Sequence, residues 1–214
     1  SSRLPIELPG EGAQRRTITR EVAIAQPTVG DILTTTDGPT YTVEIDVGST
    51  WVPEAVSDTV DGGGTYQEAT RAPLDPRTYR WGWSLPHDED YEEHLLMARA
   101  RYSMGDEPSV SDPVTVHVDT MPPHGAVITV PRHVVTTGFT VSWSATDGSG
   151  VTTYDVEYKQ DDAASWTSWL SDSSQISEVF TGTLEGVHSY SFRMQARDKG
   201  KNASDWVEGM AQVE

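Results

Sequence analysis

Cysteine is absent from the 214-residue chain, which rules out disulfides, thiolate metal sites and cysteine nucleophiles together. Long hydrophobic runs are absent as well. The longest aliphatic stretch, Leu95–Ala98, is far short of the roughly 20 residues that a membrane-spanning helix needs. Positive charge is scarce: 15 Lys and Arg stand against 33 Asp and Glu, a net charge of −18. Phosphate recognition depends on clustered Lys and Arg, so this balance argues against a nucleic-acid partner and equally against an anionic membrane surface. Neither half offers a hidden basic face, because residues 1–119 carry 21 acids and 9 bases and residues 120–214 carry 12 and 6.

Catalytic signatures are missing too. The six histidines (His87, His94, His117, His124, His133 and His188) form no H-E-x-x-H pair, and solvated loop or strand-surface positions are the default expectation for them. There is no G-x-S-x-G elbow and no dinucleotide-binding glycine pattern. Gly62-Gly63-Gly64 is followed by neither Lys-Ser/Thr nor a helix, so it reads as a hairpin turn rather than a phosphate loop. Paired acids such as Asp161-Asp162 reflect composition. General acid–base chemistry would require a buried cleft that separates two pKa values.

What the chain does contain is strand periodicity. Val43, Ile45 and Val47 alternate with Thr42, Glu44 and Asp46; Val114, Val116 and Val118 follow the same rule. The second half repeats it in Phe139-x-Val141-x-Trp143, Tyr154-x-Val156-x-Tyr158 and Tyr190-x-Phe192-x-Met194. Three Asp-Gly steps, at 37–38, 61–62 and 147–148, mark turns where the backbone is expected to take positive φ. Short strands at this spacing, with no sustained 3.6-residue period, specify an all-β class. The internal boundary falls at Val118-Asp119-Thr120-Met121-Pro122-Pro123, where the proline pair can neither donate ladder hydrogen bonds nor continue a central strand. The expected division is a polar lead-in over residues 1–19, a first module over 20–119 and a second over 120–214. The lead-in suggests a piece of something longer.

The second module resembles a fibronectin type III-like domain of the kind strung along bacterial surface proteins. The resemblance rests on Thr140-Val141-Ser142-Trp143, on Gly150-Val151-x-x-Tyr154-Asp155-Val156-Glu157-Tyr158, and on Leu184 six residues before Tyr190. Phe192-Arg193-x-x-Ala196-Arg197-Asp198 and Ser204-x-Trp206 complete it. It implies a core Trp143 and a tyrosine corner in which the Tyr190 hydroxyl bonds backbone just upstream. The first module is similar to Ig-like domains through Val43–Val47, Asp61–Tyr66, Tyr79-x-Trp81-x-Trp83 and Ala98-Arg99-Ala100, although it lacks their cysteines. The expected fold is therefore two tandem Ig-like/fibronectin type III-like β-sandwiches.

The resemblance implies non-catalytic spacer or adhesion modules of a secreted or cell-surface bacterial protein. They would be monomeric, with neighbouring domains of the same chain and a protein or glycan ligand as partners. The alternative is a polysaccharide-targeting accessory of a secreted hydrolase. For that role Trp169 and Trp206 are the candidate ligand-binding pair, while Trp166 and Trp169 fall on opposite faces of a regular strand. In the implied topology the second module receives the chain at the pole that carries Asp147 and Asp198, close to Asp119. The first module's own turn there carries Asp88, Glu89 and Asp90. Calcium wants six to eight oxygens, so Asp119, Asp147, Asp198, Asp88 and Asp90 are its candidate ligands at a restrained Asp119–Pro123 hinge. Asn202-Ala203-Ser204 matches a glycosylation sequon, but a hairpin turn in which Asn takes positive φ is the expectation.

Overall fold

The computed structural model describes residues 20–48, 52–103, 107–136, 138–183 and 187–213. The lead-in over 1–19 and Leu184 lie outside the described residues. Eighteen strands and no helix make up the regular structure described.

Ten strands precede the proline pair: β1 (Val22–Gln26), β2 (Ile32–Leu33), β3 (Thr40–Val47), β4 (Ala55–Thr59), β5 (Gln67–Glu68), β6 (Thr70–Arg71), β7 (Thr78–Ser84), β8 (Asp90–Arg101), β9 (Ser109–Val110) and β10 (Val114–Asp119). They form one sheet in the order β1-β3-β7-β6 and a second in the order β2-β10-β8-β4-β5, with β9 also paired to β8. The valine alternation decides which face turns inward. Val43, Ile45, Val116 and Val118 are completely buried between the sheets, with Tyr79 and Trp83 beside them. Burying a β-branched or aromatic side chain of this kind contributes about 1.5–3 kcal/mol. In the absence of disulfides, packing alone holds the two sheets together.

Eight strands follow: β11 (His124–Thr129), β12 (His133–Val134), β13 (Gly138–Thr146), β14 (Val151–Gln160), β15 (Thr167–Ser173), β16 (Ser177–Thr181), β17 (His188–Asp198) and β18 (Val207–Val213). Their sheets run β11-β13-β16 and β12-β18-β17-β14-β15. In both modules the second strand leaves the first strand's sheet and pairs in parallel with the last strand, β2 with β10 and β12 with β18. The second core is aromatic: Phe139, Phe180, Tyr190 and Phe192 interlock edge-to-face or tilted, and Trp143 meets Tyr154 and Trp169 edge-on. Two polar tips are satisfied within it. The Trp143 indole N–H donates to the Gln175 carbonyl at 2.7 Å, and the Tyr190 hydroxyl accepts the Thr183 backbone N–H at 2.9 Å. The second contact is the corner expected for Tyr190.

Two local expectations are corrected. Gly38 and Gly62 do take positive φ, but at the third Asp-Gly step Gly150 does so and Gly148 does not. Near the sequon, Lys201 rather than Asn202 adopts the left-handed conformation, with φ 68°. The Gly62–Gly64 loop is closed by its own acid, since the Asp61 carboxylate accepts the N–H groups of Gly64 and Thr65.

Candidate functional site: the module junction

Only residues 120–123 separate β10 from β11, and the first module pins the first two of them. The N–H groups of Thr120 and Met121 both donate to the Glu89 carbonyl, at 2.8 and 3.1 Å. The turn between β7 and β8 therefore sits against the chain as it leaves the module. A β-bulge shapes this end of β8: Glu92 pairs with Val118 and Asp90 with Asp119, which leaves Tyr91 as the extra residue. Tyr91 takes φ 69°, a conformation few non-glycine residues adopt, and its ring stacks on His117 with centroids 4.1 Å apart. A bulge re-aims the side chains around it, and here Asp90 comes to lie beside buried Asp119.

The second module meets this surface with two turns. In the β13–β14 turn, Asp147 Oδ1 accepts the Ser149 N–H, the Ser149 hydroxyl and the Gly150 N–H. These bonds leave the Gly148 N–H facing outward, and it donates to Asp90 Oδ1 of the first module at 2.7 Å. The approach is so close that a Cβ on Gly148 would stand 2.5 Å from that same oxygen. The β17–β18 turn contributes Asn202, whose side-chain N–H₂ donates to the Asp119 carbonyl at 3.1 Å and to Asp198 Oδ2 at 2.9 Å. Its backbone N–H donates to Asp198 Oδ1. Gly200 of the same turn packs on Thr34 of the first module, where a Cβ would come within 2.9 Å of the threonine methyl. A cleft lined by Leu33, Thr36, Tyr41, Lys199 and Lys201 runs along this contact.

Carboxylates converge inside the joint. Asp90, Asp119 and Asp147 each offer an oxygen within 4.8 Å of the other two. Asp119 is fully buried. Burial, together with the charges of Asp198, Asp147 and Asp90, pushes its pKa up to about 6. Burial also raises Asp198, opposed by its bonds from Asn202. The ion pairs of the described residues engage Glu44, Glu89, Asp155, Glu157 and Asp161 rather than these acids. Of the five acids expected here, three come together; Asp198 is turned to Asn202, and Asp88 is exposed in the preceding turn. Sequence reasoning missed Gly148, the Tyr91 bulge and the Asn202 strap, which depend on register and close approach.

The aromatic candidates lie elsewhere and apart from each other. Trp169 is half-buried against the second core, edge-on to Trp143 and Phe180. Trp206 is on the opposite face of the same sheet, where the Arg193 guanidinium lies 4.3 Å from its ring centre and 4.6 Å from that of Trp166. The two candidates therefore do not make a flat shared strip. His94 is also not the solvated residue expected. It pairs with Glu89 at 2.7 Å and meets Trp83 edge-on.

The sequence matches no family model and none of the curated proteins. Solved structures do match it. Domains A168–A170 of titin are similar over 90% of this chain and 64% of theirs, at 17% identity and a TM-score of 0.53. The fibronectin(III)-like modules of Clostridium thermocellum CbhA are similar over 90% and 93%, at 19% identity and a TM-score of 0.45. The FN1–FN3 domains of chicken CNTN1 follow at 14% identity and a TM-score of 0.43. At these identities the likeness is one of fold. The chain is a tandem of Ig-like/fibronectin type III-like β-sandwiches.

Proposed function

We propose that these two modules are non-catalytic spacers of a larger secreted or cell-surface bacterial protein, holding whatever flanks them at a set distance and angle. The observation that carries this reading is the fitted joint. Gly148 on Asp90, Gly200 on Thr34 and Asn202 on Asp119 are three separate contacts across four linker residues. Modules that served only as beads on a flexible string would need none of them. Pro122 and Pro123 add restricted φ angles to the same segment.

The competing role, anchoring a hydrolase to polysaccharide, draws less support. Sugar stacking needs bare indole faces, whereas Trp206 is stacked on Arg193 and Trp166 on Lys159 and Arg193. Residual dipolar couplings from the two modules test the spacer reading. One common alignment tensor is expected; two independent tensors would overturn it. Retention of the protein on an insoluble polysaccharide, abolished by Trp206→Ala, would favour the anchor instead.

A further inference from the structure

We infer that Asp90, Asp119 and Asp147 form a calcium site that locks the two modules together, with the first two ligands supplied by one module and the third by the other. A cluster of acids alone would be unremarkable in a chain of net charge −18. Here the unpartnered oxygens make the case. Asp119 is fully buried, yet its Oδ2 receives no hydrogen bond, and the buried Oδ2 of Asp147 is likewise without a donor. An unmet buried carboxylate oxygen is costly unless a cation or donor reaches it.

The other oxygen of each acid is already engaged. Asp147 Oδ1 is held by Ser149 and Gly150, Asp90 Oδ1 by Gly148, and Asp119 Oδ1 by the Asn202 amide at 3.4 Å. These bonds orient the carboxylates as supporting hydrogen bonds orient metal ligands in general. Oxygens within 4.8 Å of one another are spaced as ligands of one ion are, since two ligands at the 2.3–2.6 Å typical of calcium can stand up to about 5 Å apart. Calcium accepts irregular oxygen sets completed by water, whereas magnesium demands a near-ideal octahedron and gives up water reluctantly. A mixed, carboxylate-rich joint between two modules therefore suits calcium. Because the ligands come from both sides, binding would couple the modules directly.

The test is calorimetric titration of the chelator-stripped 214-residue chain with calcium chloride. One ion per chain is expected, with a dissociation constant on the order of 10⁻⁴–10⁻³ M, as in extracellular modules, and a melting temperature that rises with calcium. Asp147→Asn keeps the Oδ1 acceptor for its turn but removes the charge, and should bind at least tenfold more weakly. Asp119→Asn should also lose binding while melting no lower than the parent in chelator, because it relieves a buried unpaired charge; this separates a lost ligand from a lost fold. Asp88→Asn, in the same turn but exposed, should bind as the parent does. The inference is overturned if the parent gives no heat up to about 10 mM calcium, if Asp147→Asn binds as tightly as the parent, or if magnesium binds equally well. It stands apart from the spacer reading. A chain with two independent alignment tensors that still bound calcium through Asp147 would sink only the spacer.

Discussion

Asp58 gives the first module a stability that should fall as pH rises. It lies on β4 in the same inward-facing series as Val56, opposite Ala98 of β8, and is fully buried. Its Oδ1 accepts one bond, from the Thr59 N–H at 2.8 Å, and its Oδ2 accepts none. Burial outweighs that one bond and raises the pKa from 3.8 to about 7. Between those values the folded chain holds a proton that the unfolded chain has released. Stability from this group is therefore complete below about pH 4 and is lost as pH climbs through about 7. A displacement of roughly three units, at about 1.4 kcal/mol each, sets an upper bound of about 4 kcal/mol; water penetration on opening of the strand would reduce it. The perturbation is Asp58→Asn, which removes the titration while keeping the shape. Urea unfolding at several pH values from 4 to 8, read from NMR signals of the first module in the presence of chelator, compares the two proteins. The parent should lose about 2–4 kcal/mol across this window relative to the variant. Asp119 and Asp198 tilt the parent the same way, but they are common to both proteins and cancel in the difference. Identical pH slopes would refute the reasoning, as would a parent that gains stability relative to the variant between pH 4 and 7.

In the second module, Trp143→Ala should cost about 3–5 kcal/mol of stability in denaturant melts, as a buried aromatic replaced by a cavity does. Tyr190→Phe should cost about 1–2 kcal/mol, because the Thr183 N–H loses its acceptor. At the joint, Gly148→Ala places a Cβ where Asp90 stands. Each module should then melt as before while their dipolar couplings cease to fit one orientation; an unchanged orientation would show that the contact is dispensable.

The architecture was legible in the sequence because inward positions recur at period two. Val43, Ile45, Val141 and Phe192 alternate with polar residues and are completely buried. The convergence of Asp119, Asp147 and Asp90 was legible for a different reason: sheet topology dictates which turns share a pole. Within that pole, the finer placement was not. Asp88 and Asp90 look alike in sequence, and only the Tyr91 bulge aims one inward. Asp58, in the polar run Ser57-Asp58-Thr59, looks like a turn residue and yet occupies a core-facing position. Trp169 and Trp206 look equivalent as aromatics; the strand register puts one into the core and stacks the other on Arg193.

The parallel pairing near the ends of each module has a mechanical consequence. In the first module the Gly30 N–H donates to the Thr115 carbonyl and the His117 N–H to that of Asp31, beside the β2–β10 register of Ile32 with His117 and Leu33 with Val118. In the second, the Gln212 N–H donates to Arg132 next to the β12–β18 pair. Tension drawn through the chain would pull each second strand backward and each last strand forward. The two members of a parallel pair are thus loaded in opposite directions along their own axes. Their hydrogen bonds lie across the load and must yield together rather than one at a time. The short strand that changes sheets is then the clamp that sets how much force a module can transmit before it opens.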